Sequence, residues 1–435
     1  MVRFAAPILV GQLLQTLYNS VDSIVVGRAV GTNALAAVTA SATITNFFVG
    51  FFLGMATGAS VLFARNFGAK RYRDLSESIH TAMTFSILLG AVVALLGVIL
   101  APALLHIVAC PDEVYSEALV YLRIYMAGAL FMSLYNVSSS VLRSVGDSRG
   151  PFLYLLTSSC MNIVLDILFV VVLQMGVAGV AVATVIAQFT SVVLSFRKMM
   201  RMEESYRFSF RKTRINTSLL GQIVRLGLPA GVQSSITSLS NMYLQYYINT
   251  FSSAAIAGIG SAMKIDQFAG MPCNAIGLAM TTYIGQNIGA GKPEWARKGV
   301  KISLAAVVMI VAAVGTFVYF FAEQLLGIFS TDPDVIMYGA GMLHTIMPVY
   351  LIMGFQMLFG GIIRGYGYST ATMIMAVGGM VGVRQLWLAV TLHIDHNINF
   401  IYMGYPIGWA ATALAMLIFY FAVIRREFDA EREGK

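Results

Sequence analysis

Twelve stretches of this chain stay apolar for longer than the roughly 20 residues a helix needs to cross the hydrocarbon core of a bilayer. They fall at about 4–27, 34–63, 78–106, 115–142, 151–174, 176–196, 222–250, 254–286, 299–328, 335–363, 369–394 and 398–424. The strands of a membrane β-barrel would alternate apolar and polar residues over about ten positions, and these runs do not. Nor are they soluble cores. Of the 435 residues, 58% are apolar and only 11% charged, too few to clothe a surface facing water. A cytosolic enzyme, a nucleic-acid binder and a disordered scaffold are thereby excluded. The expectation is an all-α polytopic membrane protein. The first run opens at Arg3 and carries polar residues within it, so it reads as a membrane helix and not a cleavable signal. Cys110, Cys160 and Cys273 make neither a disulfide framework nor a metal-binding spacing.

The basic residues fix a direction. One set of connections carries Arg3, then Arg65, Lys70, Arg71 and Arg73, then Arg143 and Arg149. The long connection between runs six and seven carries Arg197, Lys198, Arg201, Arg207, Arg211, Lys212 and Arg214, with Arg225 beyond. Lys292, Arg297, Lys298, Lys301, Arg364, Arg425, Arg426, Arg432 and Lys435 complete that side, so it holds 24 of the 28 basic residues. The opposite connections hold Arg28 and seven acids: Asp112, Glu113, Glu117, Glu323, Asp332, Asp334 and Asp395. The positive-inside rule then places both termini in the cytoplasm, in a cytoplasmic (inner) membrane. It also removes the nucleic-acid reading that a sequence pI of about 9.3 invites.

The halves resemble each other at a shift of 222, later 221. Pro7 matches Pro229 and Asn19 matches Asn241. Asn66, Gly68 and Ala69 match Asn287, Gly289 and Ala290. Ala101, Leu104, Leu105 and Ile107 match Ala322, Leu325, Leu326 and Ile328, and Arg143 and Gly146 match Arg364 and Gly367. Six runs per repeat put both halves the same way up, which is a parallel repeat. The expected organisation is an N-terminal six-helix lobe over 1–196, a basic linker over 197–220 and a C-terminal six-helix lobe over 221–435 with a short tail. Two such pseudo-symmetric bundles around a central cavity make a transporter architecture.

Polar groups inside a bilayer need a partner or a task. In run one, Gln15, Tyr18 and Asp22 share a helix face, as do Asn162 and Asp166 in run five. Run six offers Thr184, and run four Asn136 with Ser133 and Ser140. Convergence of these faces would make a polar cluster in the first half. Two carboxylates in a low-dielectric site cannot both stay ionised cheaply, so such a pair can load and release a proton. The same oxygens suit Na⁺ at Asp22, Asn162, Asp166 and Thr184, and a polar knot that only ties helices together is the alternative. The second half has Leu244 and Trp387 where the first has Asp22 and Asp166. It carries Lys264, Asp266 and Arg384 instead, as candidates for substrate binding or for interhelical pairing. Lys264 and Asp266, two residues apart, do not face each other. Met242, Tyr243 and Tyr246 of run seven offer soft and aromatic surface for bulky organic cations. Arg123 reads as snorkelling or paired, and His393 and His396 as loop residues. No nucleophile elbow, P-loop or HExxH motif appears, so neither catalysis nor ATP-driven pumping is expected. No cofactor is expected beyond H⁺ or Na⁺ as coupling ion.

The opening "PILVGQLLQTLYNSVDSIVVGRAVG", together with "NIVLDILF", "GVAGVAVAT", "VLRSVGDS" and "YPIGW", resembles the multidrug and toxic compound extrusion (MATE) family. The resemblance spans essentially the whole chain and is closest to the DinF- and MepA-like bacterial branches. It implies a multidrug efflux antiporter that exports amphiphilic organic cations in exchange for H⁺ or Na⁺ by alternating access. It also implies ion coupling at Asp22, Asn162, Asp166 and Thr184, with Tyr18, Gln15 and Asn136 in the same cluster. The stretch after Pro229, "AGVQSSITSLSN", lacks the acid of the NorM-like and eukaryotic branches, which argues against their second-half cation site. The expected partners are small-molecule amphiphilic cations and the lipid bilayer, with the protein a monomer. The competing readings are a lipid-linked precursor flippase of the same superfamily and an integral-membrane enzyme. The flippase would show more cations than Lys264 and Arg384, and the enzyme a catalytic set.

Overall fold

The structure, a computed structural model, describes residues 2–426. The tail cations Arg432 and Lys435, and the side chains of Asn19 and Arg28, lie outside the described residues. What is described is helical, with no strand among the described residues. A backbone in hydrocarbon has no water to bond, and a helix satisfies its own N–H and C=O groups.

The first set is α1 (Val2–Ala29), α2 (Thr32–Gly68), α3 (Tyr72–Ile107), the pair α4 (Asp112–Ala127) and α5 (Ala129–Ser144), α6 (Arg149–Asp166) and α7 (Gly176–Met200). The second set begins with α8 (Thr217–Ile248), α9 (Ser253–Gly289), α10 (Pro293–Phe320) and the one-turn α11 (Ala322–Leu326). It ends with the pairs α12 (Pro333–Ile346) and α13 (Tyr350–Gly365), α14 (Ser369–Val377) and α15 (Arg384–Ile394), and then α16 (Asn399–Phe419). With each pair taken as one rod and α11 set aside, each set has six rods, matching the twelve apolar runs. The ninth run, read as reaching 328, breaks at Phe320 and resumes as α11. Eight of the helices, or nine if the pair bent by 45° at Gly128 is one span, are long and apolar enough to cross a membrane unaided. The rods that fall short are α1, α8 and α9. They carry Asp22, the Gln- and Tyr-rich stretch, and Lys264 with Asp266.

Two groups of the collinear matches, at 66–69 with 287–290 and at 143–146 with 364–367, lie where helices end. After α2, Lys70 takes φ 57°, and after α9, Gly291 takes φ 64°. The hydrogen bonds repeat as well. Arg71 N–H donates to the Asn66 carbonyl at 3.0 Å, and Lys292 N–H to the Asn287 carbonyl at 2.9 Å. Gly146 at φ 96° and Gly367 at φ 85° close α5 and α13 the same way. These left-handed positions free the chain to leave the helix while its last carbonyls stay bonded. Ala101 and Leu105 are fully buried, as are Ala322 and Leu326 to within 1%, so the matched positions share a packing role too.

The chain divides into two compact units, Val2–Ser235 and Ile236 onward, and the division falls inside α8. Its first half belongs with α2 for a steric reason. A Cβ on Gly54 or Gly58 of α2 would collide with the carbonyls of Ala230 and Leu226, and one on Gly227 or Gly231 of α8 would crowd Met55 and Phe51. Two small-xxx-small faces thus bring the backbones together, the usual device where hydrocarbon supplies no hydrophobic drive. In the second unit Gly277 and Gly361 do the same for α9 and α13. A hydroxyl bond also ties α5 to α2 in the first unit and α9 to α13 in the second, equivalent pairs of the two halves. Ser144 Oγ donates to the Ser60 carbonyl at 3.1 Å, and Thr281 Oγ1 to the Gly361 carbonyl at 3.1 Å.

Candidate functional site

In the first unit α1 packs along α6, and this brings Asp22 and Asp166 within hydrogen-bonding reach of each other. Asp166 is fully buried, and neither of its oxygens has a donor among the described residues; the same holds for Oδ1 of Asp22. Asn162, one turn before Asp166, is 1% exposed, with both amide atoms likewise unpartnered. Thr184 of α7 is buried, and its hydroxyl donates to the Val180 carbonyl at 3.0 Å. Tyr18, one turn before Asp22, lies close to both carboxyls. A buried polar atom without a partner is costly, so several of them converging on one spot mark a place where something else binds.

One turn beyond each acid, Val26 and Val170 join Ala34, Tyr121, Val177, Val180 and Ala181 in an apolar cluster. Hydrocarbon therefore closes one side of the acid pair. Asp166 is also the last residue before a π-helical stretch, Ile167–Val172. Such irregular turns concentrate at functional positions because they re-aim the adjoining side chains.

Not every residue singled out in the sequence joins this group. Gln15 is exposed, pointing away from the buried cluster. Asn136 Nδ2 donates to the Met132 carbonyl of its own helix at 2.9 Å. Ser133 and Ser86 share a 2.7 Å bond between α5 and α3, and Ser140 accepts from Arg143 Nη2 at 3.1 Å, so these two serines serve packing. Two members were missed. Tyr121 and Tyr125 of α4 stack with centroids 6.0 Å apart; Tyr121 lies near both carboxyls and Tyr125 near Asp22 and Gln188. Their i, i+4 spacing on a span was the available signal, overshadowed by Arg123 between them, which is exposed.

The second unit has a buried polar centre of different character. Arg384, 1% exposed, follows the π-helical stretch Gly378–Val383. Its Nη2 donates to Ser240 Oγ at 2.7 Å and to Asn241 Oδ1 at 3.0 Å, and its guanidinium lies 6.0 Å from the Tyr405 ring centre. Gln385 Nε2 donates to the Ser240 carbonyl at 2.8 Å. Asp266 accepts from Tyr350 Oη at 2.8 Å, and Tyr405 lies near both Asp266 and Arg384. Lys264 points elsewhere: it is exposed, with Nζ 5.5 Å above the Phe329 ring. Met242, Tyr243 and Tyr246 are exposed, and the two tyrosine rings stack at 5.9 Å. His396 bonds Thr250 Oγ1 at 2.8 Å and stacks on Phe251 at 4.2 Å, a packing arrangement. No cluster of three or more His, Cys, Asp or Glu able to hold a metal occurs among the described residues.

The MatE family model matches this chain twice, over residues 7–168 and 229–386, once in each half. The chain is 28% identical over 430 residues to the probable multidrug resistance protein YoeA of Bacillus subtilis, covering 97% of this chain and 92% of that protein. It is 22% identical over 377 residues to the multidrug export protein MepA of Staphylococcus saprophyticus, covering 87% of this chain and 83% of that one. A solved outward-facing multidrug resistance MATE family transporter of the MOP superfamily aligns with a TM-score of 0.90 at 23% identity, over 99% of this chain and 96% of that chain.

Proposed function

This chain belongs to the MatE family of multidrug efflux transporters, and we propose that it is a secondary antiporter in which Asp22 and Asp166 exchange a proton for an amphiphilic organic cation. The observation that carries this reading is the approach of two carboxyl groups whose buried oxygens find no donor among the described residues. Contact between two carboxyls becomes a hydrogen bond only when one of them holds a proton. Once that proton leaves, two negative charges face each other in a site walled by hydrocarbon, and a cation relieves the repulsion. Proton and cationic substrate therefore oppose each other, which is the negative coupling an antiporter needs between its two facing states. Asn162 and Thr184 position and support the pair, and Tyr18, Tyr121 and Tyr125 line its approach. The second unit's buried Arg384 and half-buried Asp266, with Tyr243 and Tyr246, tune which substrates are accepted.

The oxygen donors at this site also suit Na⁺, so the test must separate the two ions. Purified protein in proteoliposomes is given a pH gradient or a Na⁺ gradient, and movement of an ethidium-like cation is followed. The proposal expects the pH gradient to drive transport. Movement under Na⁺ alone would transfer the coupling role to Na⁺, and no movement under either would refute the antiport. By the distribution of its basic connections, the protein sits in the cytoplasmic membrane with both termini inside.

A further inference from the structure

The basic segment between α7 and α8 is folded back on the lobe that precedes it. Ser209 N–H donates to His80 Nε2 at 3.0 Å, while His80 Nδ1 lies 2.6 Å from the Ser76 carbonyl oxygen, which sets the ring proton on Nδ1. His80 is 3% exposed and stacks on Phe208, with centroids 5.2 Å apart. Seven residues on, Asn216 makes a second anchor. Its backbone N–H donates to Thr81 Oγ1 at 3.2 Å and its Nδ2 to Glu77 Oε2 at 3.2 Å. Between the anchors, Phe210 packs one edge against Phe196 and Phe208 yet stays 61% exposed. Arg211, Lys212, Arg214 and Ile215 are exposed beside it. None of those three cations has an ion pair among the described residues. Of the nearby acids, Glu204 is taken by Arg207 at 3.0 Å, and Glu77 at the second anchor by Arg73 at 3.4 Å as well as by Asn216.

We propose that residues 210–215 form a preorganised site for the headgroup phosphate of an anionic glycerophospholipid, with Phe210 and Ile215 entering the interfacial layer. The positive-inside bias explains why cations gather on this side. It does not explain why they are held on a pinned bridge next to an exposed aromatic side chain. Aromatic rings favour the depth of the headgroups, and Lys and Arg near them attract anionic lipid. Pinning both ends of the bridge removes the ordering cost that a loose basic segment would incur on binding. The inference depends on the chain's membrane setting and is independent of the ion-coupling reading.

The test uses the full-length protein in mixed micelles, with a fluorescent phosphatidylglycerol as probe and phosphatidylcholine as reference. Wild type should prefer phosphatidylglycerol. The variant R211Q/K212Q/R214Q should lose about fivefold per charge, roughly a hundredfold in all. His80→Phe keeps the stacking ring and every cation but removes the acceptor for Ser209 N–H; it should lose at least about fivefold. His80→Gln restores an acceptor and should bind like wild type, which separates loss of the anchor from misfolding. Absence of any preference in wild type overturns the proposal. So does wild-type binding by His80→Phe, which would reduce the effect to diffuse charge attraction.

Discussion

Asp22→Asn removes a titratable proton while keeping the shape of the side chain and its place beside Asp166. The structure makes the size of the effect calculable. Under the proposed exchange, a carboxyl pair that shares one proton trades one proton per cycle. A proton moving down one pH unit supplies about 1.4 kcal/mol, and an elementary charge crossing 100 mV about 2.3 kcal/mol. Moving a monovalent cation the other way across that potential costs the same amount, about 2.3 kcal/mol, so a one-for-one exchange is electroneutral. One pH unit then sustains about a tenfold substrate concentration ratio, since each 1.4 kcal/mol is worth tenfold. The Asn amide would donate to Asp166 and hold it in place with no proton to release. Accumulation of an ethidium-like cation against its gradient should then collapse towards the ratio that the membrane potential alone sets. The assay is gradient-driven uptake into everted vesicles, at matched expression and with folding checked by elution as a single species. Wild-type accumulation in folded Asp22→Asn would refute the assignment and leave the pair as a polar knot between α1 and α6.

Asp166→Asn should impair the same assay, and Gln15→Ala should not, because Gln15 lies outside the buried group. Gly58→Leu places a side chain against the Leu226 carbonyl and should greatly lower the yield of folded protein on detergent extraction, whereas Gly260→Ala, with open space around it, should not. Arg384→Met takes the guanidinium donor from Asn241 Oδ1, while Ser240 Oγ keeps its bond from Gln385 Nε2, at a cost of about 1–3 kcal/mol read as a lower thermal-unfolding midpoint. Cysteines replacing Glu113 and Asp334 should react with an impermeant reagent outside intact cells, and one replacing Lys212 should not; the reverse pattern would invert the topology.

The sequence by itself determined the number of spans, because the preference of a 20-residue segment for hydrocarbon depends on that segment alone. It determined the duplication too, since Lys70 and Gly291, or Gly146 and Gly367, end their helices through local backbone geometry. Helical spacing also put Tyr18 with Asp22 and Asn162 with Asp166. What spacing cannot say is which face meets which neighbour. That was decided by close packing between helices far apart in the chain. It turned α1 and α6 so that the two acids meet and drew Tyr121 and Tyr125 towards them. It also left Asn136 bonded to its own helix and gave Arg384 its partners on α8. The division of α8 has the same origin. Gly227 and Gly231 mean nothing until Gly54 and Gly58 stand opposite them, and a collision that forbids any larger residue is a property of the pair, which neither stretch of sequence contains.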